Sequence, residues 1–166
     1  MISCGFTGHR PEKIIGKNTD GVKEQKIKDA LKQNIYSLLN RGVRAFYTGM
    51  ARGTDIWAAE IVLEFKKEYQ DIKLTAVIPF PEQAEDWEEW DKRKYREILN
   101  GCSETVVIGQ RDQKDVFKRR NQYLVDNSDY VIAVYDPRYI RSGTGQTVRM
   151  AEKAKREIIQ INPREL

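Results

Sequence analysis

One block of the sequence has residue types and spacing that could bind an anion: Thr48-Gly49-Met50-Ala51-Arg52-Gly53-Thr54-Asp55. It follows a short apolar run and precedes a segment with helical periodicity. Glycines four residues apart at such a junction allow a tight turn, and the amides that open a helix favour a phosphate. Asp55 could accept a hydrogen bond from a ligand hydroxyl or simply offset the helix dipole. Because the spacing matches neither the dinucleotide fingerprint nor the P-loop, the block also fits a turn without a ligand.

Other apolar runs are also followed by polar loops. Thr7-Gly8-His9-Arg10-Pro11 follows the first run, Pro79-Phe80-Pro81 the third, and Tyr135-Asp136 with the segment from Ser142 to Thr147 the fifth. In parallel sheets such loops meet at the carboxyl edge, where ligands bind. His9 is the only histidine, with no cysteine at ligand spacing, so we expect no metal site. A hydrogen bond within its loop and a role in acid-base chemistry both stay open for His9.

The elements that must position these loops alternate along the chain. Runs rich in Val, Ile, Phe and Tyr predict strands at Ile2 to Thr7, Val43 to Thr48, Leu74 to Phe80, Thr105 to Ile108, Tyr130 to Tyr135 and Ile158 to Ile161. Apolar stripes with helical spacing run from Ile27 to Leu39 and from Ala58 to Phe65, and further helices are predicted around Glu85 to Leu99, Asp115 to Val125 and Thr147 to Lys155. This order predicts an α/β fold: a single Rossmann-like three-layer α/β/α domain over residues 1–166, with a mostly parallel sheet of about six strands.

Composition excludes several classes of protein. The chain has 166 residues, of which 40% are hydrophobic and 33% charged, as in a globular domain. No apolar run approaches the roughly 20 residues that cross a bilayer, and no basic leader is visible, so we expect a cytoplasmic protein without a membrane partner. Cys4 and Cys102 are expected to stay reduced as small apolar residues. The net charge of +4 arises from 29 basic and 25 acidic residues, a mixture that does not by itself indicate nucleic acid.

With these motifs in place, the chain resembles the YpsA/YoqJ-like family, a branch of the SLOG superfamily that also includes the DprA and LOG proteins. The motifs are Gly5 to Pro11, Phe46 to Glu60, Ile78-Pro79-Phe80, Arg120 to Asp126 and the loop from Ser142 to Thr147. The resemblance implies a Rossmann-like fold and a pocket for nucleotides or nucleotide-derived signals. It implies no established reaction.

LOG proteins, which the chain also resembles, cleave the ribosyl bond of nucleoside monophosphates with an arginine and a glutamate. Their arginine is similar in position to Arg120. Their glutamate falls on Thr147 or Arg149, depending on the alignment, and neither is a carboxylate. Because that reaction needs a negative charge near an oxocarbenium-like state and a base for water, we expect binding without LOG-type hydrolysis. Asp55, Glu60 or Asp136 could substitute for the glutamate.

These observations together predict one ligand site and no cofactor. We expect the amides of Gly49 to Gly53 and Gly143 to Gly145 at the phosphate, with threonine hydroxyls and Arg10. Asp55 would accept a ribose hydroxyl, and Trp57 or Trp87 could border the base or pack on helices. The predicted ligand-binding residues are Thr7, Gly8, Arg10, Gly49, Met50, Ala51, Arg52, Gly53, Asp55, Trp57, Phe80, Gln83, Trp87, Arg120, Gly143, Thr144, Gly145 and Thr147.

Three functions compete. The first is a sensor or binding protein for a nucleotide-derived small molecule, with a homo-oligomer or a protein partner left open. The second is a nucleotide-processing hydrolase similar to an N-glycosidase. The third, by analogy with DprA, is a single-stranded nucleic-acid binder, which we rank last because the basic segment from Lys114 to Arg120 resembles a solvated helix face. Fold analogy alone does not choose among them.

Overall fold

The computed structural model describes residues 1–16 and 20–166. Within these residues six strands alternate with helices. The strands are β1 (Ser3–Gly8), β2 (Ala45–Thr48), β3 (Lys73–Ile78), β4 (Glu104–Val107), β5 (Tyr130–Val134) and β6 (Glu157–Ile161). The helices are α1 (Pro11–Ile14), α2 (Val22–Asn40), α3 (Thr54–Lys66), α4 (Glu89–Gly101), α5 (Val116–Asp126) and α6 (Gly143–Lys153).

The strands form one sheet in the order β4-β3-β2-β1-β5-β6, and every pair is parallel. The connections through α2, α3 and α4 move toward β4, whereas those through α5 and α6 move toward β6. Since such connections are right-handed, the two groups of helices cover opposite faces. The predicted three-layer Rossmann-like fold is therefore confirmed. The direction of winding reverses between β1 and β5, which is where a ligand crevice is expected.

The core explains why these segments take these structures. The helix α2 buries the predicted apolar stripe, including Ile27, Leu31 and Ile35. On the sheet, the rings of Phe6 and Phe46 stack with centroids 6.0 Å apart, and both are buried. Burial of large side chains contributes about 1.5–3 kcal/mol each, so these contacts fix the helices on the sheet.

Two helix starts differ from the predictions. The helix α4 begins at Glu89 rather than near Glu85, because residues 81–87 form successive turns. The helix α6 begins at Gly143 rather than at Thr147, because the Ser142 hydroxyl caps it by accepting the Gly145 N–H at 3.0 Å. The glycine-rich segment is therefore the first turn of a helix and not a loop. The short helix α1, with Pro11 at its first position, was not predicted.

Cys4 is buried in the core and Cys102 is half-buried just after α4; both are free thiols. Among the described residues, no helix combines the length and the apolar character that a bilayer crossing requires.

Candidate ligand-binding cleft at the carboxyl edge of the sheet

A cleft of about 430 Å³ opens beyond the carboxyl end of β1, at the point where the winding of the sheet reverses. This volume suits a small organic ligand. Residues from the β1 loop, the β2 loop, α5 and the start of α6 meet here. They are Phe6, Thr7, Gly8, His9, Arg10, Lys13, Ala51, Asp55, Phe117, Arg120, Asn121, Leu124, Ser142, Gly143 and Thr144.

Gly8 lets the end of β1 pass close to the start of α3. A Cβ at Gly8 would lie 2.2–2.6 Å from side-chain atoms of Thr54, which is too close for any residue but glycine. Beyond it, the buried His9 accepts the backbone N–H of Asp136 at 3.1 Å through Nε2. Burial and the nearby charge of Lys13 lower the pKa of His9. His9 therefore joins the β1 loop to the end of β5 as a neutral ring, rather than bonding within its own loop.

Two amides of the central block are used inside the protein. The Met50 N–H donates to the Thr48 hydroxyl at 3.2 Å, and the Ala51 N–H donates to Asp55 Oδ2 at 3.2 Å. Met50 has a φ of 61° and a completely buried side chain. The Gly49 carbonyl accepts from Arg120 Nη1 at 2.6 Å and from Gln83 Nε2 at 3.2 Å. The block therefore holds the floor of the cleft in place, and of its residues Ala51 and Asp55 line the cleft.

Asp55 and Arg120 are buried side chains of opposite charge that both approach Gly49. A Cβ at Gly49 would stand 2.8 Å from Asp55 Oδ2 and 2.8 Å from Arg120 Nη1. Yet Asp55 forms no ion pair within 4.0 Å in the described part of the chain, and its Oδ1 has no hydrogen-bond partner there. Burial raises the pKa of Asp55 to about 6, against the opposing effects of Arg120, the Ala51 N–H and Arg10. Burial also lowers the pKa of Arg120, whose Nε donates to Asn121 at 2.8 Å.

Positive charge predominates along the cleft. Arg10, Lys13 and Arg120 line it, and Asp55 is the one acidic lining residue among those the structure describes. Neither Arg10 nor Lys13 belongs to any ion pair within residues 1–16 and 20–166. The Lys13 ammonium lies over the Tyr139 ring, 4.9 Å from its centroid. Two exposed cations thus stand unpaired at the mouth, where they attract anions.

The start of α6 adds free backbone donors to the same wall. Gly143 and Thr144 line the cleft, and their amides have no hydrogen-bond partner within the described residues. Gly145 and Thr147 lie behind them. A Cβ at Gly145 would be 2.3 Å from the Ile140 carbonyl oxygen, and the Thr147 hydroxyl donates to the Gly143 carbonyl at 3.0 Å. These two residues therefore shape the helix start rather than border the cleft.

A side annex of about 230 Å³ holds another group of predicted residues. Phe80, Gln83 and Trp87 line it, and Arg10, Ala51 and Phe117 belong to both the annex and the cleft. The two spaces therefore adjoin at these three residues. Gln83 donates to the Gly49 carbonyl and accepts from the Tyr95 hydroxyl at 3.3 Å, so both ends of its amide are engaged.

The remaining predicted residues border a separate depression on the side of α3 and α4. Arg52, Gly53 and Trp57 line this space of about 270 Å³, which Trp87 also reaches. Arg52 is paired with Glu12 at 2.6 Å. Burial acts to raise the pKa of Glu12, but a backbone hydrogen bond, the Arg52 pair and the charge of Arg10 together lower it. Trp87 packs edge-on against Tyr95 with ring centroids 5.3 Å apart. The structure thus separates Arg52, Gly53 and Trp57 from the Arg10 and Arg120 cluster, whereas Trp87 also lines the annex beside Arg10.

Several cleft residues were missed by the sequence reasoning, notably Lys13, Phe117, Asn121 and Ser142. Ser142 three residues before Gly145 was a visible helix-cap signal. Phe117 stood next to charged residues at the predicted start of a helix, a position where an apolar ring would be exposed. Lys13 gave no signal, since α1 was not predicted.

Comparisons with known proteins agree with the resemblance seen in the motifs. A family model described as the YspA SLOG family matches residues 4–166. A UPF0398 protein of Bacillus thuringiensis strain Al Hakam is 32% identical over 160 residues, which cover 95% of this chain and 86% of that relative. A UPF0398 protein of Bacillus cereus strain AH187 matches equally well, and one of Bacillus cereus strain B4264 is 31% identical over the same length.

Proposed function

The chain belongs to the YspA SLOG family, and from this membership and the chemistry of the cleft we propose that it binds a nucleotide or a nucleotide-derived phosphate compound. One observation carries the proposal. The cleft is lined by three cations, two of them exposed and outside any ion pair of the described residues, against a single buried carboxylate. Such a surface favours an anionic guest, and its volume suits a mononucleotide better than a macromolecule.

The proposed ligand lies with its phosphate at the start of α6. The free amides of Gly143 and Thr144, with Arg10 and Lys13 opposite, supply donors and countercharge. The sugar lies over Asp55, whose carboxylate would accept a ribose hydroxyl. A buried acceptor without a partner costs about 1–3 kcal/mol, and a ligand donor recovers part of that cost. Arg120, fixed by the Gly49 carbonyl, closes the floor.

Absence of LOG-type hydrolysis is part of the proposal. The two positions that align with the LOG glutamate make contacts within the protein. The Thr147 hydroxyl donates to the Gly143 carbonyl, and the Arg149 guanidinium donates to the Ile140 carbonyl. Neither side chain lines the cleft, so α6 brings no carboxylate to the sugar.

Hydrolysis of the ribosyl bond is a second candidate, favoured by Asp55 alone. Its unpartnered oxygen and its pKa of about 6 suit a base near neutral pH. In that reaction water adds to C1′ as the N-glycosidic bond breaks; Asp55 takes a proton from the water, and the departing nitrogen gains one. A chromatographic assay for free base, run with the wild type and with Asp55→Asn, decides the matter. Turnover that the substitution abolishes overturns the binding-only proposal.

The test of binding is a thermal-shift and calorimetric comparison of AMP with adenosine. At 100 times its dissociation constant, AMP stabilises the protein by about 2.7 kcal/mol, which raises the melting temperature by roughly 5–10 °C. Adenosine gives much less, because the phosphate is missing. Arg10→Gln weakens AMP about tenfold, as loss of a charged hydrogen bond predicts. The exposed Arg93→Gln on α4 is the matched control and leaves affinity unchanged. Equal affinity for AMP and adenosine contradicts the proposal.

We also propose a cytoplasmic location, which fits the two free thiols. A homo-oligomer or a protein partner that responds to ligand stays a prediction. Light scattering of the protein with and without AMP tests the first of these, and the mass of a monomer in both conditions contradicts it.

A further inference from the structure

We propose that Phe117 is the stacking platform for the nucleobase of the ligand, with the annex beside it as the base-binding space. This inference rests on the proposed function and adds a specific residue and subsite to it. Phe117 lies in the first turn of α5 and is 42% exposed, although it lines a cleft whose other exposed side chains are cationic. An apolar ring left open in such a place has surface that a planar ligand can cover.

The ring of Phe117 is held in a defined orientation. Phe80, only 8% exposed, meets it edge to face with centroids 5.6 Å apart and ring planes at 82°. The guanidinium carbon of Arg120 lies 5.7 Å from the Phe117 centroid, and Arg120 is itself fixed by the Gly49 carbonyl. Phe117 therefore loses little conformational freedom when a ligand stacks on it, which is what makes a rigid aromatic ring effective in binding.

The amides proposed for the phosphate and the carboxylate proposed for the sugar belong to residues that line the cleft but not the annex, whereas Phe117 lines both. The free amides of Gly143 and Thr144 lie on the wall formed by α6, whereas Phe117 belongs to α5 and borders both the cleft and the annex. Asp55, the proposed acceptor of a sugar hydroxyl, lines the cleft but not the annex. A ligand with its phosphate at α6 and its sugar at Asp55 thus places its base toward the shared boundary of the two spaces.

The chemistry of the annex favours stacking over reading of base edges. Gln83 uses its amide nitrogen on the Gly49 carbonyl and its amide oxygen on the Tyr95 hydroxyl. Arg111 is paired with Glu85 and Asp86. With Gln83 and Arg111 engaged, the exposed aromatic face of Phe117 is available to a base, and stacking accepts any planar ring.

The experiment measures AMP and ribose 5-phosphate by calorimetry on the full chain. The two ligands share the sugar phosphate and differ in the base. We expect the wild type to bind AMP about tenfold more tightly than ribose 5-phosphate. Phe117→Ala removes that difference and leaves ribose 5-phosphate within twofold of the wild type, while Phe117→Tyr retains it. Tyr36→Ala is the matched control, because Tyr36 is 49% exposed on α2 and remote from the cleft.

The outcomes separate the two proposals. If ribose 5-phosphate binds but AMP gains nothing from its base, or if the gain persists in Phe117→Ala, the stacking role is wrong and phosphate binding stands. An equal loss for both ligands in Phe117→Ala also overturns the stacking role, because it indicates a general change in the cleft. If the wild type binds neither ligand, the proposed function fails and the stacking role fails with it. A melting temperature near that of the wild type shows that each variant is folded.

Discussion

Replacing Asp55 with Asn is expected to change how stability depends on pH in one defined window. Asp55 is buried, its Oδ1 has no partner among the described residues, and burial raises its pKa from 3.8 to about 6. Because the folded-state pKa lies above the unfolded-state value, ionising this carboxyl is harder in the folded protein. Its contribution therefore destabilises the fold above pH 6, and that penalty disappears as the pH falls through 6 toward 4.

The size of the effect follows from the shift. At 1.36 kcal/mol per pKa unit, moving the pKa from 3.8 to about 6 amounts to about 3 kcal/mol. Asn carries no titratable proton, so the penalty for ionising a buried carboxyl is absent from Asp55→Asn. We expect the stability of the variant, measured relative to the wild type, to rise by about 3 kcal/mol between pH 4 and pH 7 and to be flat beyond those limits. Taking the difference in free energy of unfolding between the variant and the wild type cancels the contribution of His9, whose pKa is lowered and which is present in both proteins.

Urea denaturation at half-unit steps from pH 4 to pH 8 measures this difference. Asp112→Asn is the matched control for removal of one carboxylate, since Asp112 is exposed in the segment between β4 and α5. A flat difference for Asp55→Asn, or one that changes only below pH 4, refutes the reasoning. Either result means that the carboxyl is solvated or paired, and it removes Asp55 as a free acceptor in the cleft.

Two further predictions concern the start of α6 and the residues outside the cleft. Gly145→Ala places a Cβ 2.3 Å from the Ile140 carbonyl oxygen and is expected to lower the free energy of unfolding, measured in urea, by about 1–3 kcal/mol. Gly143→Ala, with open space around its Cβ, is expected to leave it unchanged. Equal stability of the two variants contradicts this packing. Arg52→Gln leaves AMP affinity within twofold in calorimetry, because Arg52 is paired with Glu12 away from the cleft, and a tenfold loss would return Arg52 to the site.

The fold followed from the sequence because its signals are local. Apolar runs such as the one before Thr48 are continuous rather than alternating, which is typical of strands covered on both faces. Their alternation with helical stripes implies parallel strands. The ends of elements were harder. The start of α6 depends on the Ser142 cap and on the close approach of Gly145 to Ile140, which are contacts between atoms rather than patterns of residue type.

The candidate site was predicted in outline and not in detail. Converging loops follow from the topology, which brings Thr7 and Thr144 to one cleft. The sequence does not specify which side of a turn a side chain takes. For this reason it could not separate Asp55, which lines the cleft, from Arg52, which turns toward Glu12. Nor could it show that the Ala51 amide is used by Asp55 and is therefore not free for a phosphate.

The central claim is that an anionic nucleotide binds where the β1 loop meets the start of α6. An amide-resolved NMR titration of the whole chain with AMP tests it most directly. Saturable shifts are expected, largest at the amides of Gly143 and Thr144 and smaller at Gly8 and Ala51. The absence of saturable shifts at millimolar AMP contradicts it, as do shifts confined to the separate depression around Trp57 on the side of α3 and α4.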